Sequence, residues 1–119
     1  MNETHKTISE KKEERRRYKR SIFNYKVEVH SQNGKTRVKC ASFDISEGGI
    51  KVVTNVELKE NAYVICIDNF KFNAHLMYEE ARKSTMMDQH AYYHGFRFDK
   101  PVSLEIVRKL LKNAEKFRF

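Results

Sequence analysis

Two short groups of residues carry the side chains best suited to chemistry. Residues 15–20 read Arg-Arg-Arg-Tyr-Lys-Arg, with Arg16 and Arg20 in an Arg-x-x-x-Arg spacing, and residues 44–49 read Asp-Ile-Ser-Glu-Gly-Gly. Guanidiniums are planar and always charged, so they can grip phosphate oxygens, fork onto the O6 and N7 edge of guanine, or stack on its ring. Arginine cannot accept a hydrogen bond, and the second group supplies what it lacks. The Asp44 carboxylate can accept from the N–H edge of a base, the Ser46 hydroxyl can add one more bond, and Gly48 and Gly49 let the backbone come close where a Cβ would clash. Together the two groups have the chemistry of a site for a guanine nucleotide.

The elements around them set the geometry. Phe23, Tyr25, Val27 and Val29 alternate with polar residues, the period of a strand with one buried face. Asn33-Gly34 then predicts a tight hairpin with φ > 0 at both turn positions, and a second strand from Thr36 to about Phe43. The Asp-x-Ser-x-x-Gly turn feeds Ile50-Lys51-Val52-Val53. Tyr63 to Ile67 reads as a strand apolar on both faces, Asp68-Asn69 turns it, and Phe70 to Tyr78 alternates again. Glu79 to His90 is polar and aperiodic and reads as a loop, and Ala91 to Phe98 is the last strand. Six short antiparallel strands with tight turns predict a mainly β fold, a small six-stranded barrel without open sheet edges. After Asp99-Lys100-Pro101 the period becomes helical: Leu104, Val107, Leu110, Leu111, Ala114 and Phe117 form one apolar stripe. Asp99 or Ser103 would cap that helix, and its stripe would pack on the barrel or on a second chain.

Length and charge bound the rest. The 119 residues fit one domain, 14–119, preceded by a polar, mobile tail at 1–13. The 24 Lys+Arg against 16 Asp+Glu give a net +8. Residues 11–20 hold seven basic and two acidic side chains, a net +5, whereas residues 21–119 hold 16 and 12, a net +4. The positive charge is therefore concentrated at the entrance to the fold, where it attracts an anion. No apolar run approaches the roughly 18–20 residues that span a bilayer, and no signal peptide is evident, so a cytoplasmic protein is expected. Cys40 and Cys66 stand apart, without metal or redox spacing, and read as reduced thiols in or near the core.

With the order Arg-x-x-x-Arg, strand, hairpin, Asp-x-Ser-x-x-Gly, barrel strands and closing helix in view, the chain resembles the PilZ family, bacterial receptors for cyclic di-GMP. The resemblance runs from about Glu14 to Phe119. It implies a six-stranded barrel whose flexible arginine segment wraps the nucleotide against the barrel surface. By motif match, Arg16 and Arg20 are the nucleotide arginines, and Asp44, Ser46 and Gly49 are the residues of the turn. Gly48 and Ile50 also fit the family pattern. Arg15 and Arg17 flank the motif, either serving a second nucleotide or adding charge.

Other constellations are weaker. His90 and His94 have the spacing of helical metal ligands but fall on a strand-like run without a third ligand, which favours surface or partly buried imidazoles over a metal site. No nucleophile and base pair, Walker sequence or catalytic carboxylate pair stands out, so neither enzyme activity nor a cofactor is expected. Phe70/Phe72 and Tyr92/Tyr93 fit core positions better than base-stacking ones. The reading is a cyclic di-GMP receptor or adaptor, monomer or homodimer, signalling through a protein partner. The alternative is a small basic barrel that binds RNA or DNA. Asp44 argues against it, because a carboxylate is a liability beside a polyanion's backbone and useful at guanine's donor edge.

Overall fold

Alternating burial along short strands is the main structural theme of residues 18–83 and 90–115, which the computed structural model describes. The strands are β1 (Ser21–Ile22), β2 (Lys26–Ser31), β3 (Arg37–Ile45), β4 (Gly49–Thr54), β5 (Ala62–Ile67), β6 (Phe70–Lys83) and β7 (His90–Phe98), followed by helix α1 (Leu104–Glu115). Neighbours in the order β3-β2-β5-β6-β7-β4 pair antiparallel, and a β3–β4 pairing closes the ring. The result is a closed six-stranded barrel, with β1 outside it on the edge of β3. Val27 and Val29, Ile45, Ile50 and Val52, Tyr63, Ile65 and Ile67, Ala74, Phe96 and Phe98 point inward as one core. Closure leaves little unpaired edge, the expected advantage of a small antiparallel barrel.

Three local features differ from the pattern in the sequence. The first expected strand starts late, at Lys26 of β2, because Phe23 to Tyr25 form a break after β1 in which Phe23 turns into the core and Tyr25 is half-buried beside it, their rings 5.5 Å apart. The buried Ser42 hydroxyl fills the break, accepting the Tyr25 N–H at 2.9 Å and donating to the Phe23 carbonyl. The Asn33-Gly34 turn is wider than two residues, and only Gly34 has positive φ, at 75°. Asn33 acts through its side chain instead: Oδ1 accepts the Lys35 N–H at 2.9 Å and the Ser31 hydroxyl at 2.6 Å. The tightest hairpin is Asp68-Asn69, where Ile67 pairs Phe70 and Asp68 takes φ 53°.

The third difference is the longest. β6 runs on through Glu79, Glu80, Ala81 and Arg82, which pair with His94, Tyr93, Tyr92 and Ala91, where the sequence reads as a loop. An ordered polar contact explains it. His94 is fully buried rather than at the surface, its Nδ1 3.0 Å from Glu79 Oε2 and its Nε2 2.7 Å from Thr54 Oγ1. Thr54 spends its one proton on the Val56 carbonyl at 2.7 Å, so His94 Nε2–H is the donor between them. Burial holds the imidazole below its ordinary pKa, against the pull of the Glu79 charge.

Helix α1 seals one end of the barrel. Val107 and Leu110 are buried, each such burial worth about 1.5–3 kcal/mol, and Ile106, Leu111 and Ala114 pack beside them. Ser103, rather than Asp99, caps it, accepting the Ile106 N–H at 3.3 Å. Near the other end, Asn113 donates to Asp68 Oδ2 at 3.3 Å, while Asp68 Oδ1 accepts the Tyr25 hydroxyl at 2.7 Å. Helix and barrel are thus tied through the β5–β6 turn. Phe117 of the expected stripe lies outside the described residues.

Candidate functional site

The turn between β3 and β4 is fastened at every backbone position. Ser46 N–H donates to the Gly49 carbonyl at 2.9 Å, and Ser46 Oγ accepts the N–H groups of Gly48 and Gly49, each at 3.2 Å. From outside the turn, Val102 N–H donates to the Glu47 carbonyl at 2.7 Å and Phe98 N–H to the Gly48 carbonyl at 2.9 Å. The glycines admit protein, not empty space. A Cβ on Gly49 would lie 2.2 Å from the Phe96 carbonyl oxygen, and one on Gly48 would lie 2.6 Å from the ring of Tyr18. Their smallness lets β7 and the entering chain close on the turn, making it a rigid rim.

Asp44 is the exception to this satisfaction. It is half-buried and makes no hydrogen bond or ion pair among the described residues. The barrel's register places it in a cross-strand row, Asp44 opposite Lys51, Lys51 opposite Gly95, and Gly95 opposite Tyr78. In the adjoining row Gly49 is opposite Arg97, and Arg97 opposite His75, whose Nδ1 is 2.6 Å from Asp99 Oδ1. These two rows form the wall of a cleft of about 690 Å³, within the usual range for small-molecule sites.

Arg20, Asp44, Ser46, Gly48 and Gly49, all predicted from sequence, line this one cleft. Arg20 is exposed at its mouth, and Arg15 and Arg16 lie outside the described residues. Sequence reasoning missed Tyr18, Lys51, Tyr78 and Arg97, which also line it. Lys51 follows Gly49 by two residues on the outward face of β4, but only strand register brings Arg97 of β7 beside the turn, and register across a barrel is not encoded in any local spacing. The cleft therefore offers the cations Arg20, Lys51 and Arg97 to an anion and the Asp44 carboxylate to a donor edge.

Elsewhere the reactive side chains are subdued. Burial pushes the Cys40 thiol up to about 12, with the Glu28 charge adding to it. On the β2–β5 wall, Cys66 Sγ lies 3.7 Å from His30 Nδ1, and His30 Nε2 3.2 Å from Glu28, a nucleophile-like string. Burial raises that thiol too, the opposite of what an activated nucleophile requires. Among the described residues no three His, Cys, Asp or Glu side chains are placed to hold a metal ion, and no helix is long and apolar enough to cross a membrane.

A closed antiparallel barrel with a capping helix, and a cleft uniting an Asp-x-Ser-x-x-Gly turn with an arginine, defines one class of small β domain. The PilZ domain model matches residues 14–114, and the chain belongs to that family. Solved structures agree on the fold. The PilZ domain of Escherichia coli YcgR, with c-di-GMP, has a TM-score of 0.59 at 23% identity, over 86% of this chain and 92% of that one. Borreliella burgdorferi PlzA, in complex with c-di-GMP, gives 0.64 at 15% identity over 90% of this chain and 54% of its own. The Bacillus subtilis inhibitor of motility MotI/DgrA gives 0.53 at 14% identity over 85% and 50%. The chain thus spans about half the length of the latter two. No curated protein matches its sequence.

Proposed function

We propose that the protein is a receptor for cyclic di-GMP and that the ligand occupies the cleft at the β3–β4 turn. The observation that carries the reading is the half-buried Asp44 carboxylate, without a partner among the described residues, in one cleft with Arg20, Ser46, Gly48 and Gly49. A carboxylate held partly out of water without a partner costs stability, and a guanine N1–H and N2–H₂ edge would satisfy it. The Ser46 oxygen is occupied by two backbone donors, which leaves its O–H to donate to the ligand. Arg20, Lys51 and Arg97 would take the phosphates, as would Arg15 and Arg16 of the entering segment. The relatives solved with c-di-GMP support the choice of ligand.

In this reading the anion neutralises the segment's charge and fixes it against the barrel, a disorder-to-order switch read by an effector protein. The protein works as a binding module in the cytoplasm rather than as a catalyst. Calorimetric titration with cyclic di-GMP tests it, with Arg20→Ala and Asp44→Ala alongside. Saturable binding that both variants weaken at least tenfold is expected. Absence of binding by the unaltered protein, or unchanged binding by both variants, overturns it. A nucleic-acid binder would instead take oligonucleotides of unrelated sequence, with affinity falling steeply as salt rises.

A further inference from the structure

Far from the cleft, three side chains that the receptor reading does not use form one string. On the outward face of the β2–β5 wall, register sets Glu28 opposite Cys66 and Cys66 opposite Lys71, with Arg37 opposite His30 in the next row. This wall lies across the barrel from the β7–β4 wall of the cleft. His30 Nε2 is 3.2 Å from Glu28 Oε1, so the one proton of the neutral imidazole sits on the nitrogen that faces the carboxylate. Nδ1 is then a bare acceptor, 3.7 Å from Cys66 Sγ and within reach of the thiol proton. Burial keeps that thiol protonated at rest, while Lys71 and Arg37 pull the other way, toward the thiolate. Cys40 is different in kind: it packs on the core, donates to the Val27 carbonyl at 3.4 Å, and is pushed up to about 12.

We propose that Cys66 is a site of reversible thiolation by small disulfides that carry carboxylates, the class to which oxidised glutathione belongs. His30 Nδ1 takes the thiol proton as Cys66 Sγ attacks one sulfur of the reagent. A new S–S bond forms, the reagent's own S–S bond breaks, and its second sulfur leaves with the electron pair as a thiolate. Cys66 is thereby oxidised to a mixed disulfide and half of the reagent is reduced; a free thiol reverses the exchange. Glu28 holds His30 in the accepting tautomer and steadies the imidazolium that forms. Lys71 and Arg37 attract the reagent's carboxylates and stabilise the charge developing on sulfur. A thiol that keeps its proton until a base removes it is quiet toward oxidants in general and responds to a reagent held beside His30. The proposal does not depend on what the cleft binds.

The test treats the whole chain with oxidised glutathione at neutral pH and reads the adducts by peptide mass spectrometry. A single adduct at Cys66 is expected within hours, with Cys40 unmodified. His30→Gln should slow its formation at least about tenfold, as for loss of a general base. A variant that had lost its fold would expose Cys40 and gain a second adduct, which separates unfolding from loss of the base. Oxidised glutathione should also outrun cystamine, a disulfide that carries only amines, by about fivefold or more at low salt, and Arg37→Glu combined with Lys71→Glu should reverse that order. The comparison of the two disulfides is made on the unaltered protein, so it stands whatever the variants do. No adduct at Cys66, an unchanged rate in folded His30→Gln, or equal rates with the two disulfides overturns the inference.

Discussion

Two carboxylates on this barrel have opposite surroundings. Glu79 points inward, 22% exposed, where its Oε2 accepts the Leu58 N–H at 2.9 Å and lies 3.0 Å from buried His94. Asp44 points outward into the cleft and bonds to nothing among the described residues. Glu79 takes a backbone donor from within the protein, which a carboxylate largely out of water needs. The rim can leave one unmatched, at some cost in stability, if a ligand is to complete it. The difference marks where the fold ends and the site begins.

The largest effect expected from breaking this contrast is on the Glu79 side. Glu79→Ala removes the Leu58 acceptor and opens space beside His94, and should cost about 3 kcal/mol of stability, read as a fall in the urea midpoint. Cyclic di-GMP affinity of the folded fraction should stay within about twofold. A stability loss below about 0.5 kcal/mol would mean that the interior pair is no more structural than the rim.

Asp44→Ala should do the reverse. Stability should be unchanged or rise by a few tenths of a kcal/mol, because a half-buried charge without a partner is removed. Ligand affinity should fall by about 2 kcal/mol, roughly 30-fold, as for a lost hydrogen bond to a charged group. Calorimetry and urea unfolding on the same sample check both halves. A destabilised Asp44→Ala variant would assign the carboxylate to the fold.

The same contrast explains what the sequence disclosed. Strands such as β2, with Val27 and Val29 inward between polar residues, and the stripe of α1 bury apolar faces, and the period of 2 or 3.6 reveals them directly. The Asp-Ser-Gly turn is legible because one local segment carries all its chemistry. The end of β6 was hidden, because its inward residue is Glu79 and its outward ones are Glu80 and Arg82, an exposed ion pair at 3.1 Å that reads as loop polarity. The full burial of His94 is hidden for the same reason: Thr54, which accepts its Nε2–H, is distant in sequence. Tyr78 and Arg97 reach the cleft through register alone.

A smaller effect follows from the protons of the interior. With His94 Nε2–H bonded to Thr54, the neutral ring presents a bare Nδ1 to Glu79. Burial lowers the folded pKa below the ordinary value of about 6.5, so the unfolded chain takes up the proton first as pH falls. Stability should therefore be lost below about pH 6.5, by at most about 1.4 kcal/mol per pH unit from this group. His94→Gln keeps an N–H donor for Thr54 but cannot titrate, and should flatten the difference between unfolding curves at pH 7.5 and 5.5. An unchanged pH slope in that variant would mean that His94 takes its proton equally well in both states.

The smallest effect probes whether the rim is preformed without the helix. Val102, whose N–H holds the Glu47 carbonyl, immediately precedes the Ser103 cap of α1. Ser103→Ala should cost about 1 kcal/mol through loss of the cap. Cyclic di-GMP affinity should nevertheless remain within about twofold, because Ser46 Oγ and the Phe98 N–H hold the turn independently of the helix start. Calorimetry well below the unfolding temperature reads this directly. If affinity falls in step with stability, the rim is not a fixed plate but part of the same cooperative packing as the interior, and the division drawn between Asp44 and Glu79 disappears.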